Sequence, residues 1–277
     1  MPELPEMQAL SERLDSVLRG AVWKDAHVIQ FSGLKTFDPP PDALKSQTVE
    51  GIRRRGKYVI IETGDLRVLF HLSQGGRVDL EDPPKHTRPK QGVVRFVFQD
   101  RPSVLVKEFG TERKAGWWVV PAGDDGPLEG LGPEPFSDEF EELILESEDG
   151  RRIHTILRDQ RTVAGIGRGF SDDILHRARL SPFTSLKSLS AEDRRELVAA
   201  THKVLNEALE VERRRTGGLP TKLGDRFAIH KRWGQPCPRC RSELKRVSYE
   251  SHEVTYCPAC QTNGKILADR RMSRLLR

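Results

Sequence analysis

The sequence has no run of apolar residues approaching the ~20 that a membrane-spanning helix requires, and its opening stretch, Met1-Pro2-Glu3-Leu4-Pro5-Glu6-Met7-Gln8, has neither a basic start nor an apolar core. The first absence excludes a helical membrane protein. The second gives no secretory leader, so the expected location is the cytoplasm, beside the nucleoid if the organism is bacterial. No internal repeat is present, which sets aside solenoids and propellers. No low-complexity tract is present either, which sets aside a disordered chain. Cysteine is scarce: all four lie beyond position 236, so no disulfide can form within the preceding chain.

What is present suits a soluble globular protein of 277 residues, 36% hydrophobic and 31% charged, long enough for two compact domains and a small appendix. The net charge of +5 is unevenly spread. Residues 211–277 hold 16 Lys or Arg against 6 Asp or Glu, leaving 30 against 35 in residues 1–210. Such a basic concentration suits a polyphosphate binder. It suits a solvated basic tail equally well, and charge alone does not choose.

After Pro2 and Pro5, the residues Met7, Leu10, Leu14, Val17 and Leu18 recur at helical spacing, with Gly20 placed to stop the helix. From residue 22 to 120 the pattern changes to short β-rich runs. Residues 58–62 and 66–72, for example, flank the turn Thr63-Gly64-Asp65. A β-sandwich carrying one helix is expected. Residues 121–135 hold four prolines and four glycines, a linker composition. Beyond it, 138–148 and 153–163 read as helices. Ser190 and Asp193 then open a third, with Leu197, Val204, Leu205 and Ala208 on one face.

The four cysteines form two pairs, Cys237-Pro-Arg-Cys240 and Cys257-Pro-Ala-Cys260, separated by sixteen residues that can fold as a β-hairpin. Each CxxC turn presents two thiolates, and the spacing falls in the usual zinc-ribbon range. Two disulfides or a redox pair are the alternatives, disfavoured in an intracellular chain. Four thiolates leave no position for water, so one Zn2+ would be structural. It would order a hairpin too small to fold alone, giving Lys231, Arg232, Arg239, Arg241, Lys245 and Arg246 a rigid support.

The first six residues suggest a nucleophile. Proline at position 2 is small enough for Met1 to be removed, which would expose a secondary amine. An α-amine with a pKa of ~7.7–8.0 is roughly 10% neutral at pH 7, whereas a lysine at ~10.4 is almost wholly charged. When a secondary amine attacks a sugar C1′, the resulting iminium has no N–H to lose and stays cationic. It acidifies the C2′ proton and promotes β-elimination. Glu3 and Glu6, three residues apart on one face, can act as proton donor and orienting partner. Ordinary acids at a helix N-terminus would look the same.

Joined to PELPE, further motifs in order resemble the formamidopyrimidine-DNA glycosylase and endonuclease VIII family over the whole chain. Arg54-Arg55-Gly56-Lys57-Tyr58 is similar to the family's RRGKY hairpin, and His71-Leu72 begins a stretch similar to its HLGMSG loop. Leu131-Gly132-Pro133-Glu134-Pro135 resembles its LGPEP linker. Asp159-Gln160, Gly165-Ile166-Gly167 and Asp172-Asp173-Ile174-Leu175 resemble its helix-two-turn-helix element, whose glycine turn offers N–H groups to phosphate. The cysteine ribbon, with Tyr256-Cys257-Pro258 and Cys260-Gln261, resembles its zinc finger.

This resemblance implies an α+β protein with three parts. They are an N-terminal β-sandwich with one long helix (1–120), a helix-two-turn-helix domain (137–225) after a linker (121–136), and a zinc-finger hairpin (226–277). It implies a monomeric base-excision enzyme that acts on double-stranded DNA with damaged bases or abasic sites, as glycosylase and AP lyase. Pro2, Glu3, Glu6 and Lys57 would be catalytic, with His71, Gln74, Lys107, Phe109, Arg168 and His252 at the DNA.

Several residues depart from the family pattern. Gln74 replaces the methionine that fills the gap of an extruded base, and Lys107-Glu108-Phe109 replaces the RRF wedge, leaving Phe109 as its apolar member. A carboxylate at that surface would repel phosphate, so Glu108 is expected to point elsewhere or to be offset by Lys107. Arg168 replaces the GIGN asparagine, and His252, a strong phosphate grip only when protonated, replaces the finger arginine. The stretch between Gly218 and Phe227 is shorter than the loop that covers oxidised purines. This favours damaged pyrimidines, abasic sites or bulky adducts over 8-oxoguanine. A DNA-binding protein of the same fold without base removal is the alternative.

Overall fold

The computed structural model describes residues 1–110, 112–223, 226–249 and 252–268; the side chains of Tyr249 and His252 lie outside the described residues. The chain divides into two compact units, one of Met1–Gly130 with Leu209–Gly224, the other of Leu131–Ala208 with Asp225–Arg277. Residues 209–224 thus pack with the N-terminal part. Arg13 accounts for this: its guanidinium donates to the carbonyls of Glu212 (2.9 Å), Gly217 (2.9 Å) and Gly218 (3.3 Å). Leu219 also exchanges backbone hydrogen bonds with Val78.

Helix α1, Leu4–Leu18, opens the first unit. Met7, Leu10, Leu14 and Leu18 form the stripe read from their spacing, and all are fully buried. Gly20, at φ +78°, turns the chain into β1 (Trp23–Val28). Seven strands follow: β2 (Gly51–Arg55), β3 (Tyr58–Thr63), β4 (Leu66–His71), β5 (Gly76–Glu81), β6 (Gly92–Phe98), β7 (Ser103–Glu108) and β8 (Gly116–Pro121). They form two antiparallel four-stranded sheets, ordered β1-β6-β7-β5 and β2-β3-β4-β8. One core cluster unites α1 with both sheets around Trp23, Phe70, Phe96 and Trp117, as a sandwich requires. The β3–β4 hairpin turns at Gly64 (φ +54°), where the sequence places it.

The second unit holds α2 (Asp138–Glu146), α3 (Ile153–Arg158), α4 (Arg168–Arg177) and most of α5 (Ala191–Arg213). It also holds the hairpin β9 (Lys245–Tyr249) and β10 (His252–Tyr256), and the short α6 (Pro258–Gln261). Ser190 caps α5 as anticipated, accepting from the Asp193 N–H at 3.1 Å and donating to the Asp193 carboxylate at 2.9 Å. Helix α3 is shorter than the apolar spacing over 153–163 suggests. The Asp159 carboxylate accepts from the Arg161 N–H (3.2 Å) and the Thr162 hydroxyl (2.7 Å), which favours a turn over continued helix. Among the described residues, no helix is long and apolar enough to cross a membrane.

Candidate active site and nucleic-acid interface

The start of α1 fixes two carboxylates beside Pro2. Glu3 is the N-cap, and its backbone N–H donates to Glu6 Oε2 at 2.7 Å, while the Glu6 N–H donates back to the Glu3 side chain. This reciprocal box satisfies two N-terminal amides and holds both acids in place. Pro2 is buried, and Glu3 and Glu6 are 3% and 0% exposed. Both acids are thus withdrawn from solvent, unlike the solvated acids usual at a helix end. Lys57 reaches the same place. The β2–β3 hairpin turns through Gly56, at φ +57°, and Lys57. Arg54 anchors the hairpin to α1 by donating to Gln8 Oε1 at 3.0 Å, and the buried Lys57 Nζ stands 3.9 Å from Met1 Sδ.

His71 ends β4 opposite Tyr58, their rings 4.7 Å apart. Its Nδ1 accepts the Ser73 N–H at 3.2 Å. Burial, and then the Lys57 charge, hold its pKa down at about 4, so it stands neutral with its proton on Nε2. Exposed Gln74 follows, and then Gly75, whose carbonyl accepts the Phe109 N–H at 3.0 Å. A Cβ at Gly75 would lie 2.2 Å from the Gly110 nitrogen, so these two loops touch backbone to backbone. Phe109 stands 46% exposed there. Lys107 Nζ lies 5.5 Å from the Phe109 ring centroid and pairs with Asp79.

Glu108 points inward. Only 6% exposed, it accepts the N–H groups of Lys114 (2.9 Å) and Ala115 (3.0 Å). The expected repulsion at that surface is avoided because the carboxylate closes a loop instead. Gly218 and Leu219, where the shortened stretch begins, lie against β5, with Leu219 fully buried, and Arg77 donates to the Thr221 carbonyl at 3.0 Å. This segment is tied to the sheet.

In the second unit the glycine turn precedes α4. The Gln160 amide clamps it, donating to the Ile166 carbonyl at 2.6 Å and accepting the Gly165 N–H at 3.0 Å. Gly165 has φ +91°, and Gly167 caps the helix that Arg168 begins. A turn so held presents amides at a helix N-terminus, a geometry suited to phosphate. Backbone pairing places His252 opposite Tyr249; the side chain called for there lies outside the described residues.

Sequence reasoning missed what joins α4 to the ribbon. Asp173 accepts from three consecutive backbone amides, Ala228 (2.7 Å), Ile229 (2.9 Å) and His230 (3.3 Å). Asp172 pairs with His230 Nδ1 at 2.6 Å and accepts the Thr255 N–H at 3.1 Å. Burial raises both carboxyl pKa values, that of Asp172 to about 6. The available signal was the adjacent pair Asp172-Asp173 between Phe170 and Ile174-Leu175, apolar neighbours on a helix that packs against other parts of its unit.

The sulfurs of Cys237, Cys240, Cys257 and Cys260 all lie within 4.8 Å of one another. The Cys240–Cys257 and Cys237–Cys260 separations are 3.5 and 3.9 Å, far beyond the ~2.0 Å of a disulfide. Thiolates arranged tetrahedrally ~2.3 Å from a common centre stand about 3.8 Å apart, so the cluster can hold a metal ion. His176 Nε2 lies 3.2 Å from Cys237 Sγ. Gln261 accepts the Cys257 N–H at 2.8 Å and donates to the Leu180 carbonyl at 2.9 Å.

Residues 1–166 match the formamidopyrimidine-DNA glycosylase N-terminal domain, and residues 131–218 match the H2TH domain of the same family. The formamidopyrimidine-DNA glycosylases of Thermus thermophilus and Nitrobacter winogradskyi are each 31% identical, with 95% of this chain and 100% of theirs covered. The Bacillus cereus protein of that name is 29% identical over 94% of this chain and 99% of its own. A crystal structure of the Lactococcus lactis enzyme, bound non-covalently to DNA with an abasic site, superposes with a TM-score of 0.82 at 24% identity over 94% of this chain and 99% of that one. With one of these matches spanning more than half its length, the chain belongs to the formamidopyrimidine-DNA glycosylase family.

Proposed function

We propose that the protein is a bifunctional DNA glycosylase and AP lyase, acting as a monomer on double-stranded DNA that carries damaged bases or abasic sites. The observation that carries this reading is the buried reciprocal Glu3–Glu6 pair next to buried Pro2, with the Lys57 ammonium directed at Met1. Removal of Met1 would uncover the Pro2 nitrogen at that point.

In the proposed reaction the neutral Pro2 amine bonds to C1′ while the C1′–base bond breaks, and Glu3 supplies the proton that the departing base takes up. The amine then gives its proton to the Glu3 carboxylate, which passes it to O4′ as the C1′–O4′ bond breaks and the sugar ring opens, leaving a cationic iminium. The C2′ proton leaves next, the C3′–oxygen bond breaks, and the phosphate departs. Water hydrolyses the iminium and returns the amine. Glu6 orients Glu3 through the capping box, and Lys57 grips phosphate beside the reacting sugar. His71, Gln74, Lys107 and Phe109 would contact the DNA. Arg168 and His252 would contact it as well.

Cys237, Cys240, Cys257 and Cys260 would hold one structural Zn2+, which supplies folding energy to the ribbon and takes no part in the reaction. The attachment of residues 218–221 to β5 favours oxidised pyrimidines, abasic sites and bulky adducts over 8-oxoguanine, because a segment tied to a sheet is not available to fold over a purine. A protein that binds damaged DNA without removing bases is the second reading, favoured by Gln74 and by the neutralisation of Lys107 by Asp79.

Borohydride trapping tests the proposal. The Met1-processed protein is incubated with duplexes containing an abasic site, dihydrouracil or 8-oxoguanine. A covalent adduct with dihydrouracil and the abasic site, lost in Pro2→Gly, is the expected result. No adduct on any duplex would favour the binding protein, and equal trapping by a chain retaining Met1 would exclude Pro2 as nucleophile.

A further inference from the structure

Strands β5 and β7 pair in a register that sets Arg77 directly opposite Lys107. Two like charges at such a position repel. Asp79, one step along the same face, lies diagonally across from Lys107 and pairs with it. Lys107 in turn lies over Phe109, which stands 46% exposed where the Gly75 and Gly110 backbones meet. The Phe109 backbone is fixed by its hydrogen bond to Gly75. The Lys107 ammonium stands 5.5 Å from the centre of its ring.

We propose that Asp79 is a positioning residue for the Phe109 wedge: it holds Lys107 over the aromatic ring and keeps that ring ready for insertion. The proposal rests on the reading of Phe109 as the DNA wedge. Asp79 contributes by removing the charge repulsion that would drive Lys107 away from Arg77, and by anchoring the ammonium on the ring face. It also neutralises Lys107, so that a DNA phosphate must displace a carboxylate to use this cation. Undamaged DNA then gains little from Lys107, whereas a site that accepts the ring gains both stacking and phosphate contact.

The test uses the full-length protein and a duplex with 2-aminopurine opposite a tetrahydrofuran abasic analogue, in which ring insertion raises fluorescence. In Asp79→Asn the insertion equilibrium is expected to fall about two- to fivefold, the range for an exposed cation–π contact. Asp79→Glu should restore it. The slope of log affinity against log salt should steepen by about 0.9 in Asp79→Asn, because one more cation is available to phosphate. In a Lys107→Met background, Asp79→Asn should change nothing further. Wild-type insertion in Asp79→Asn, or an equal loss with and without Lys107, would overturn the assignment while leaving the wedge intact. No fluorescence rise with the wild-type protein would overturn both the wedge and the role of Asp79.

Discussion

His71 stands beside Lys57 in a buried setting: burial first, and then the Lys57 charge, hold the imidazole at a pKa of about 4. The unfolded value is ~6.5, so between pH 6.5 and 4 the unfolded chain binds more protons than the folded one. Stability from this group is therefore complete above pH 6.5 and declines as pH falls toward 4, by no more than about 3 kcal/mol. NMR titration should show His71 uncharged throughout pH 5–8. In Lys57→Met its pKa should rise only part of the way to 6.5, because burial is the larger cause. His71→Phe should flatten the acid side of the stability curve.

The capping box lets stability and chemistry be separated. Glu6→Ala removes the acceptor for the Glu3 N–H and should cost about 1 kcal/mol in a denaturant melt. Glu3→Gln keeps a carbonyl able to accept from the Glu6 amide but has no acidic proton. Its melt should match that of the wild type while base removal falls by at least about 100-fold. Cleavage of a preformed abasic site should fall less. Equal losses in both assays would mean that Glu3 acts at a step common to the two reactions and not as the acid for the departing base.

Periodicity made α1 readable, because Met7, Leu10, Leu14 and Leu18 belong to a single buried stripe. Spacing did the same for the cysteine cluster, since two CxxC turns leave few other geometries. What could not be read depends on partners distant in sequence. Glu108 turns inward because the amides of Lys114 and Ala115 await it, and their loop has no signature. The Asp79–Lys107 pair follows from cross-strand register, which a single sequence does not disclose. The end of α3 was hidden because Val163 continues the apolar spacing of Ile153, Ile156 and Leu157, while the Asp159 side chain stops the helix. Arg13 likewise has three carbonyl partners about 200 positions away.

Asp173 offers a test of how the ribbon is attached. Asp173→Ala leaves three amides, from Ala228 to His230, without their acceptor. The Ile229 amide is the buried one of the three and should cost about 1–3 kcal/mol when left unsatisfied, so the segment should loosen and show faster amide exchange from 228 to 230. Asp173→Asn keeps one acceptor oxygen and should be intermediate. Chelation should release about one zinc per chain and abolish duplex binding. The sandwich should survive it, because among the described residues its core cluster and that of the cysteines share no member. Loss of the sandwich on chelation would contradict this division of labour.

Gly75→Ala tests the contact that presents Phe109. The added Cβ would sit 2.2 Å from the Gly110 nitrogen and 2.7 Å from its Cα. Both are backbone atoms, so the clash cannot be relieved by a rotamer change, and one loop must move. Overpacking of this kind costs about 1–3 kcal/mol, and the hydrogen bond from the Phe109 N–H to Gly75 should be lost with it. Gly169→Ala makes a useful contrast, because its Cβ would meet the Phe227 ring at 2.2 Å, a side chain that can swing aside. Gly75→Ala should therefore lower duplex affinity and ring insertion together, whereas Gly169→Ala should lower stability and leave insertion as it was. If Gly75→Ala inserts Phe109 normally, the loop-to-loop backbone contact does not set the position of the ring.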